Sequence, residues 1–149
     1  MSEHLAKIAW KLDTDSFDYK TYNREHRWEF QGGETVRASA APAFLGKPEF
    51  VDPEEALVAA LSACHMLTFL AIASMKKFVI ESYDDGAVGY MEKNEAGKSA
   101  ITRVVLRPNI VFSGDNLPSQ EDLDWMHEKA HKECFIANSV TTEVTVEAS

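Results

Sequence analysis

The feature that most constrains this chain is a run of twenty residues, 56–75, that contains no charged side chain. At about 1.5 Å per residue a helix of this length spans roughly 30 Å, which equals the hydrocarbon thickness of a membrane. The run nevertheless contains Ser62, His65 and Thr68, and several of its apolar residues are alanines. A helix that is apolar on all sides is also typical of a buried core. We therefore expect a core helix of a soluble domain and no membrane contact.

The ends of this helix are marked by residues with known positional preferences. Asp52 suits the N-cap, Pro53 the first helical position, and Glu54 and Glu55 the first turn, where the helix dipole favours negative charge. Lysines at 76–77 follow, as suits a helix C-terminus. The sequence predicts a helix that begins at Pro53 and ends near Met75.

Short extended segments and one further helix surround this element. Alternating or β-branched patterns predict strands at 6–12, 25–30, 35–38, 79–83, 87–91, 101–112 and 141–147. Ser119 with Asp122 three residues later predicts the start of a second helix. Its inward face carries Leu123, His127, Ala130 and Cys134. The predicted fold class is α+β, in one domain covering 1–149.

Composition limits the partners. The formal net charge is −9, which disfavours a nucleic-acid surface. A secretory signal pattern is not recognisable at the start, so we expect a cytoplasmic protein in which cysteines stay free of permanent disulfides. About six strands and one further helix can hardly cover a 30 Å apolar helix within 149 residues. We therefore expect a homodimer.

The chain contains two cysteines, Cys64 and Cys134, one in each predicted helix. Each alone is typical of a small buried core residue. Because both face inward, packing of the two helices could bring the sulfurs within disulfide reach. A reactive thiol in an apolar site needs a nearby cation, and the candidates are Arg24 and Arg27, held by a carboxylate such as Glu54. The plain alternatives are solvated strand arginines and an ordinary first-turn glutamate.

A zinc site is an alternative interpretation of the same region. His65 follows Cys64, and His131 precedes Cys134 by three residues, so two Cys and two His are available. Adjacent helical residues point about 100° apart, however, and the short Cys-x-x-Cys pattern is missing from the sequence. We expect no metal and no other cofactor.

Several of these residues together resemble the OsmC/Ohr family of thiol peroxidases. The match lies in Asp52-Pro53-Glu54-Glu55-Ala56 leading to Ala63-Cys64-His65, in the strands at 90–92 and 101–104, and in Ala130-His131-Lys132-Glu133-Cys134 before Asn138-Ser139-Val140. It extends from about Trp10 to the end of the chain. One departure is Phe135, where many members have proline after the second cysteine.

The resemblance implies an OsmC-like fold, with antiparallel sheets around two long helices in an intertwined homodimer. It also implies reduction of organic hydroperoxides, and possibly of hydrogen peroxide, to alcohols without a cofactor. By the family motif, Cys64 is the peroxidatic residue, Cys134 the resolving residue, and Glu54 orients an arginine. Spacing favours Arg24 over Arg27 for that role. Ten residues of straight helix separate Glu54 from Cys64 by about 15 Å, so the relay needs a helix break or the partner chain.

In this scheme Cys64 attacks the hydroperoxide, and its sulfenic acid condenses with Cys134 to a disulfide. An external dithiol then restores the thiols, whether a lipoyl protein, thioredoxin or a small thiol. An apolar wall that favours alkyl or lipid hydroperoxides is predicted from Leu61, Met66, Leu67 and Phe69. The alternative in another functional class is a non-catalytic, stress-related binding protein on the same fold, with inert thiols.

Overall fold

The first 56 residues contain a three-stranded antiparallel sheet, as seen in a computed structural model that describes residues 1–147. The strands are β1 (Ala6–Ala9), β2 (His26–Phe30) and β3 (Thr35–Ala38), in that order. Gly33 adopts φ +100° in the turn between β2 and β3, where glycine is free of Cβ strain. The strands predicted at 25–30 and 35–38 are confirmed and pair as an antiparallel hairpin, whereas β1 ends three residues before the predicted Leu12.

The long apolar helix α1 spans Pro53–Met75 as one continuous element. The Glu55 amide N–H donates to Asp52 Oδ1 at 2.8 Å, and the Asp52 amide N–H donates to Glu55 Oε1 at 3.0 Å. This reciprocal capping satisfies two N–H groups that the helix leaves free, so the predicted start is confirmed. Lys77 takes φ +69° just after the helix and ends it.

The rest of the chain forms two small sheets. β4 (Val79–Asp85) pairs antiparallel with β7 (Pro108–Ser113), and β6 (Ser99–Leu106) pairs antiparallel with β5 (Val88–Lys93). The prediction of one strand over 101–112 was wrong, because the chain leaves one sheet for the other at Arg107. The Arg107 amide donates to Asp85 Oδ1 at 2.6 Å, and proline at 108 supplies no ladder N–H.

The second helix and the last strand complete the architecture. α2 spans Gln120–Glu133, and the Ser119–Asp122 capping box predicted for its start is confirmed. Cys134 lies just beyond α2 as its C-cap residue in an extended conformation, rather than on the helix face as predicted. A short 3-10 helix (Ala137–Ser139) follows, and β8 (Glu143–Val146) pairs parallel with β6. The fold is α+β, as predicted.

The chain divides into two compact units, an N-terminal unit of Met1–Ala56 and a C-terminal unit that begins at Leu57. The single domain predicted for 1–149 stays a prediction. Within the C-terminal unit, α1 contributes to two separate hydrophobic clusters. One is built around Phe69 with Met126 and Ala130 of α2, and the other around Leu61 with Val104 and Leu106 of β6. Different turns of α1 therefore pack against different sheets.

Candidate active site

The two cysteines lie together in the C-terminal unit. Both are free thiols; Cys64 on α1 is half-buried, whereas Cys134 is 1% exposed. Burial raises the pKa of the Cys134 thiol above its ordinary value, and the neighbouring Cys64 thiol raises it further. Cys134 is therefore a neutral thiol at neutral pH, next to a more accessible cysteine. The structure brings together the two sulfurs that the sequence placed on separate elements.

Local structure holds each cysteine in place. The Thr68 hydroxyl donates to the Cys64 carbonyl at 2.8 Å within α1. At the other cysteine, the Ala137 amide donates to Cys134 Sγ at 3.4 Å, and the Asn138 amide donates to the Cys134 carbonyl at 3.0 Å. The 3-10 turn after α2 thus fixes the sulfur of Cys134 from its own backbone.

A pair of histidines lies in the same unit. Nε2 of His65 is 3.0 Å from Nδ1 of His127, and the two rings are nearly parallel. Because the two nitrogens share one hydrogen bond, one of them carries the proton and the other accepts it. Burial, together with smaller charge repulsion from His127 and His131, lowers the pKa of His65 to about 4. Burial also lowers the pKa of His127.

This histidine pair was missed at the sequence level. The predicted inward face of α2 included His127, but the partner, His65, is 62 positions away in the chain. The zinc alternative named His65 and His131 instead. Within residues 1–147, no group of three or more His, Cys, Asp or Glu side chains is arranged so that it could hold a metal ion.

Polar groups on β4 lie near the histidine pair. Asp85 accepts hydrogen bonds from the Ser62 hydroxyl at 2.5 Å and from the Arg107 amide. Burial, and secondarily the charge of Asp85, raises the pKa of Tyr83. Tyr83 Oη and His65 Nδ1 are both buried without a hydrogen-bond partner among the described residues.

The predicted arginine and glutamate belong to the N-terminal unit. Arg24 Nη1 donates to the Tyr22 carbonyl at 2.7 Å and Nη2 to the Tyr19 carbonyl at 2.5 Å, while its guanidinium stacks 3.6 Å from the Tyr22 ring centroid. Glu54 Oε2 is buried without a partner, and within 1–147 the two side chains form no ion pair. Arg27, the alternative, is 57% exposed and is bound to Glu29 at 2.7 Å.

The four residues of the predicted apolar wall do not share one surface. Leu61 and Phe69 are fully buried in the two separate core clusters, Met66 is half-buried, and Leu67 is 62% exposed. Fully buried side chains support the packing of α1 in this conformation and leave little surface for a ligand. The wall remains a prediction.

Comparison with known proteins agrees with this architecture. The family model described as OsmC-like protein matches residues 46–149. An OsmC-like protein of unknown function from Vibrio cholerae O1 biovar eltor is 51% identical, with complete coverage of both chains and a TM-score of 0.97. An organic hydroperoxide resistance protein OsmC from Legionella pneumophila is 17% identical over 100% of this chain and 98% of its own, with a TM-score of 0.73. The uncharacterized protein YmaD of Bacillus subtilis (strain 168) is 24% identical over 136 residues, 85% of this chain and 87% of its own. The chain described here belongs to the OsmC/Ohr family.

Proposed function

We propose that this protein is a thiol-dependent reductase of organic hydroperoxides, with Cys64 as the peroxidatic and Cys134 as the resolving cysteine. The observation that carries the proposal is the proximity of two free thiols of unequal exposure. The half-buried Cys64 is accessible to a peroxide, whereas the buried Cys134 is shielded from it. The names of family neighbours such as the hydroperoxide resistance protein of Legionella pneumophila support the substrate class.

The chemistry balances with the two cysteines and one peroxide. The Cys64 sulfur attacks the distal peroxide oxygen, the O–O bond breaks, and the alcohol leaves with the thiol proton. The Cys134 sulfur then attacks the Cys64 sulfenic acid, and water leaves as the S–S bond forms. The raised pKa of Cys134 keeps its proton available for the hydroxide that leaves. An external dithiol closes the cycle by reducing the disulfide.

Arg24 and Glu54 are the groups that would activate Cys64. A guanidinium stabilises a thiolate and donates to a peroxide oxygen, and a carboxylate holds it in place. The buried, unpartnered Glu54 Oε2 supports this role, because a buried carboxylate oxygen is costly unless a cation or donor reaches it. Since α1 runs without a break through Glu54 and Cys64, we propose that a second chain supplies this pair to Cys64.

The surface of α1 supports the homodimer that this arrangement requires. In its most apolar stretch, with a mean hydropathy of 2.1, only 28% of the residues are buried within the chain. By length and composition alone α1 could span a membrane, but core helices have the same composition. Leu67 and Met75 are 62% and 74% exposed. A second copy of the chain would remove this apolar surface from water.

Peroxide consumption under a dithiol tests the proposal. Wild-type protein with dithiothreitol should consume cumene hydroperoxide catalytically, and Cys64→Ser should not. Cys134→Ser should form one equivalent of sulfenic acid, trapped by dimedone on Cys64, because the first step needs only that sulfur. Turnover by Cys64→Ser would contradict the assignment. A wild-type protein with inert thiols would instead favour the non-catalytic alternative.

A further inference from the structure

The loop between β1 and β2 lines an open cavity in the N-terminal unit. Its volume is about 360 Å³, and its lining includes Trp10, Phe17, Tyr22, Arg24 and His26. This size lies at the lower end of the range for pockets that hold small organic molecules. These lining residues all belong to the N-terminal unit, and Arg24 among them is the residue proposed above to activate Cys64.

Three aromatic rings form a continuous wall of this cavity. The ring centroids of Phe17 and Tyr22 are 4.8 Å apart, those of Trp10 and Phe17 are 5.9 Å apart, and those of Trp10 and Tyr22 are 6.4 Å apart. Tilted and edge-on contacts at these distances leave ring faces and edges that another aromatic ring can contact favourably. The wall therefore favours a flat aromatic ligand over a branched alkyl group.

Hydrogen bonds with Asn23 brace the loop that lines this cavity. The Trp10 indole N–H donates to the Asn23 carbonyl at 2.8 Å, and the Asp13 amide donates to Asn23 Oδ1 at 2.8 Å. Asn23 Nδ2 donates to the Lys11 carbonyl at 2.9 Å. These three bonds tie the end of the loop to its beginning, so little conformational entropy is lost when a ligand enters.

Arg24 gives the cavity a positive charge that no lining residue neutralises. The lining residues include no aspartate and no glutamate. Of the five N–H donors of its guanidinium, two bind the carbonyls of Tyr19 and Tyr22. The remaining donors are available to a ligand carboxylate, with which guanidinium forms strong paired hydrogen bonds.

A second cavity of the same unit differs from the aromatic cavity in its charge, because acidic residues line it as well as basic ones. Its volume is about 760 Å³, and Asp13 and Glu25 line it together with Arg27 and Lys47. Lys47 is 3.3 Å from Glu25, and Arg27 is bound by Glu29. The charges there are of both signs, so the aromatic cavity is the better match for an organic anion.

We propose that the aromatic cavity binds a single-ring aromatic monocarboxylate, with the ring against Trp10, Phe17 and Tyr22 and the carboxylate on Arg24. His26 is not a second cation in this arrangement. The Trp28 indole N–H donates to His26 Nε2 at 2.9 Å, and His26 Nδ1 faces the Arg24 carbonyl at 2.8 Å, which describes a neutral ring. The inference goes beyond the proposed peroxidase but shares Arg24 with it, and ligand binding in the absence of peroxide requires neither thiol.

Isothermal titration calorimetry on the full chain, without peroxide, tests this site. Benzoate should bind with a dissociation constant on the order of 1 mM or below, as expected for a ligand of this size. Benzamide has the same ring without the charge, and cyclohexanecarboxylate has the charge without the ring. Each should bind at least about tenfold more weakly than benzoate. Equal binding of benzamide, or no benzoate binding up to about 10 mM, would overturn the proposal.

Matched variants locate the site. Arg24→Gln should weaken benzoate binding at least about tenfold, whereas Arg27→Gln should leave it within about twofold. Phe17→Leu should weaken it several-fold, and Phe30→Leu, an exposed aromatic of β2 outside this cavity, should not. Unchanged binding in Arg24→Gln would overturn the assignment. A failure here is distinguishable from a failure of the peroxidase proposal, because oxidation of Cys64 and Cys134 by peroxide is measured without benzoate.

Discussion

The two units of this protein hold their functional groups in opposite environments. In the C-terminal unit, the thiols and the histidine pair lie among helices and sheets, and Cys134 and His65 are each 1% exposed. In the N-terminal unit, Arg24 and the aromatic rings are held by a loop, and Phe17 and Tyr19 are 67% and 70% exposed. Substitutions near the thiols should therefore change both stability and chemistry, while substitutions in the loop should change recognition, and at Arg24 also turnover, with a smaller effect on global stability.

The sharpest contrast is between two phenylalanines. Phe69 is fully buried and contacts His127 and Tyr83, so Phe69→Ala should lower the free energy of unfolding by about 3–5 kcal/mol. Phe17→Ala in the exposed loop should cost less than about 1 kcal/mol. Urea unfolding of both variants measures the difference, and equal losses would mean that the loop belongs to the cooperative core.

Acid should destabilise the C-terminal unit through His65. Its pKa is about 4 in the folded protein and 6.5 ordinarily, so the unfolded chain binds more protons between these values. Stability should therefore fall as the pH drops from 6.5 to about 4, by about 3 kcal/mol from this residue. Repulsion by His127 and His131 favours this loss, and Asp85 opposes it.

Urea unfolding at a series of pH values, with His65→Phe as the comparison, isolates that contribution. The variant should lose less stability than the wild-type protein over the same interval, because the titrating ring is absent. An identical pH dependence of the two proteins would assign the acid sensitivity to other groups.

The two arginines of the N-terminal unit should differ in turnover. Arg24→Gln should reduce the rate of peroxide consumption about a hundredfold, which is the usual scale for loss of one preorganised donor. Arg27→Gln, at an exposed ion pair, should change the rate less than about twofold. A loss of activity in Arg27→Gln instead would move the activating role to that residue.

The smallest expected effect is at Asn23. Asn23→Ala removes two side-chain hydrogen bonds, one that the Asp13 amide donates to Oδ1 and one that Nδ2 donates to the Lys11 carbonyl. The free energy needed to open the loop locally should fall by about 1–2 kcal/mol. Hydrogen exchange should accelerate at residues 10–23 and stay unchanged in α1. Acceleration throughout the chain would contradict the local character assigned to this loop.

Local sequence patterns predicted where helices begin better than they predicted which strands pair with each other. The cap at Asp52 and the capping box at Ser119 depend on residues three positions apart, and both were predicted correctly. The parallel pairing of β8 with β6 and the change of sheet at Arg107 depend on contacts between distant segments. Hydrophobic periodicity carries no information about those pairings.

The candidate site shows the same limit. Burial was correctly predicted for Cys134, although it caps α2 instead of lying on it, whereas Cys64 is only half-buried. The His65–His127 contact joins two helices and leaves no pattern in either one. Leu61 and Phe69 have the composition of a substrate wall, but residue type alone cannot distinguish a wall from a core.

The most direct test of the central claim is the mass of the reduced protein after one equivalent of cumene hydroperoxide. Each chain should lose two hydrogens, and a non-reduced peptide map should show Cys64 joined to Cys134. A dithiol should restore the original mass fully. A mass that does not change, or stable addition of oxygen without a Cys64–Cys134 link, would contradict the claim that these two thiols form the redox pair.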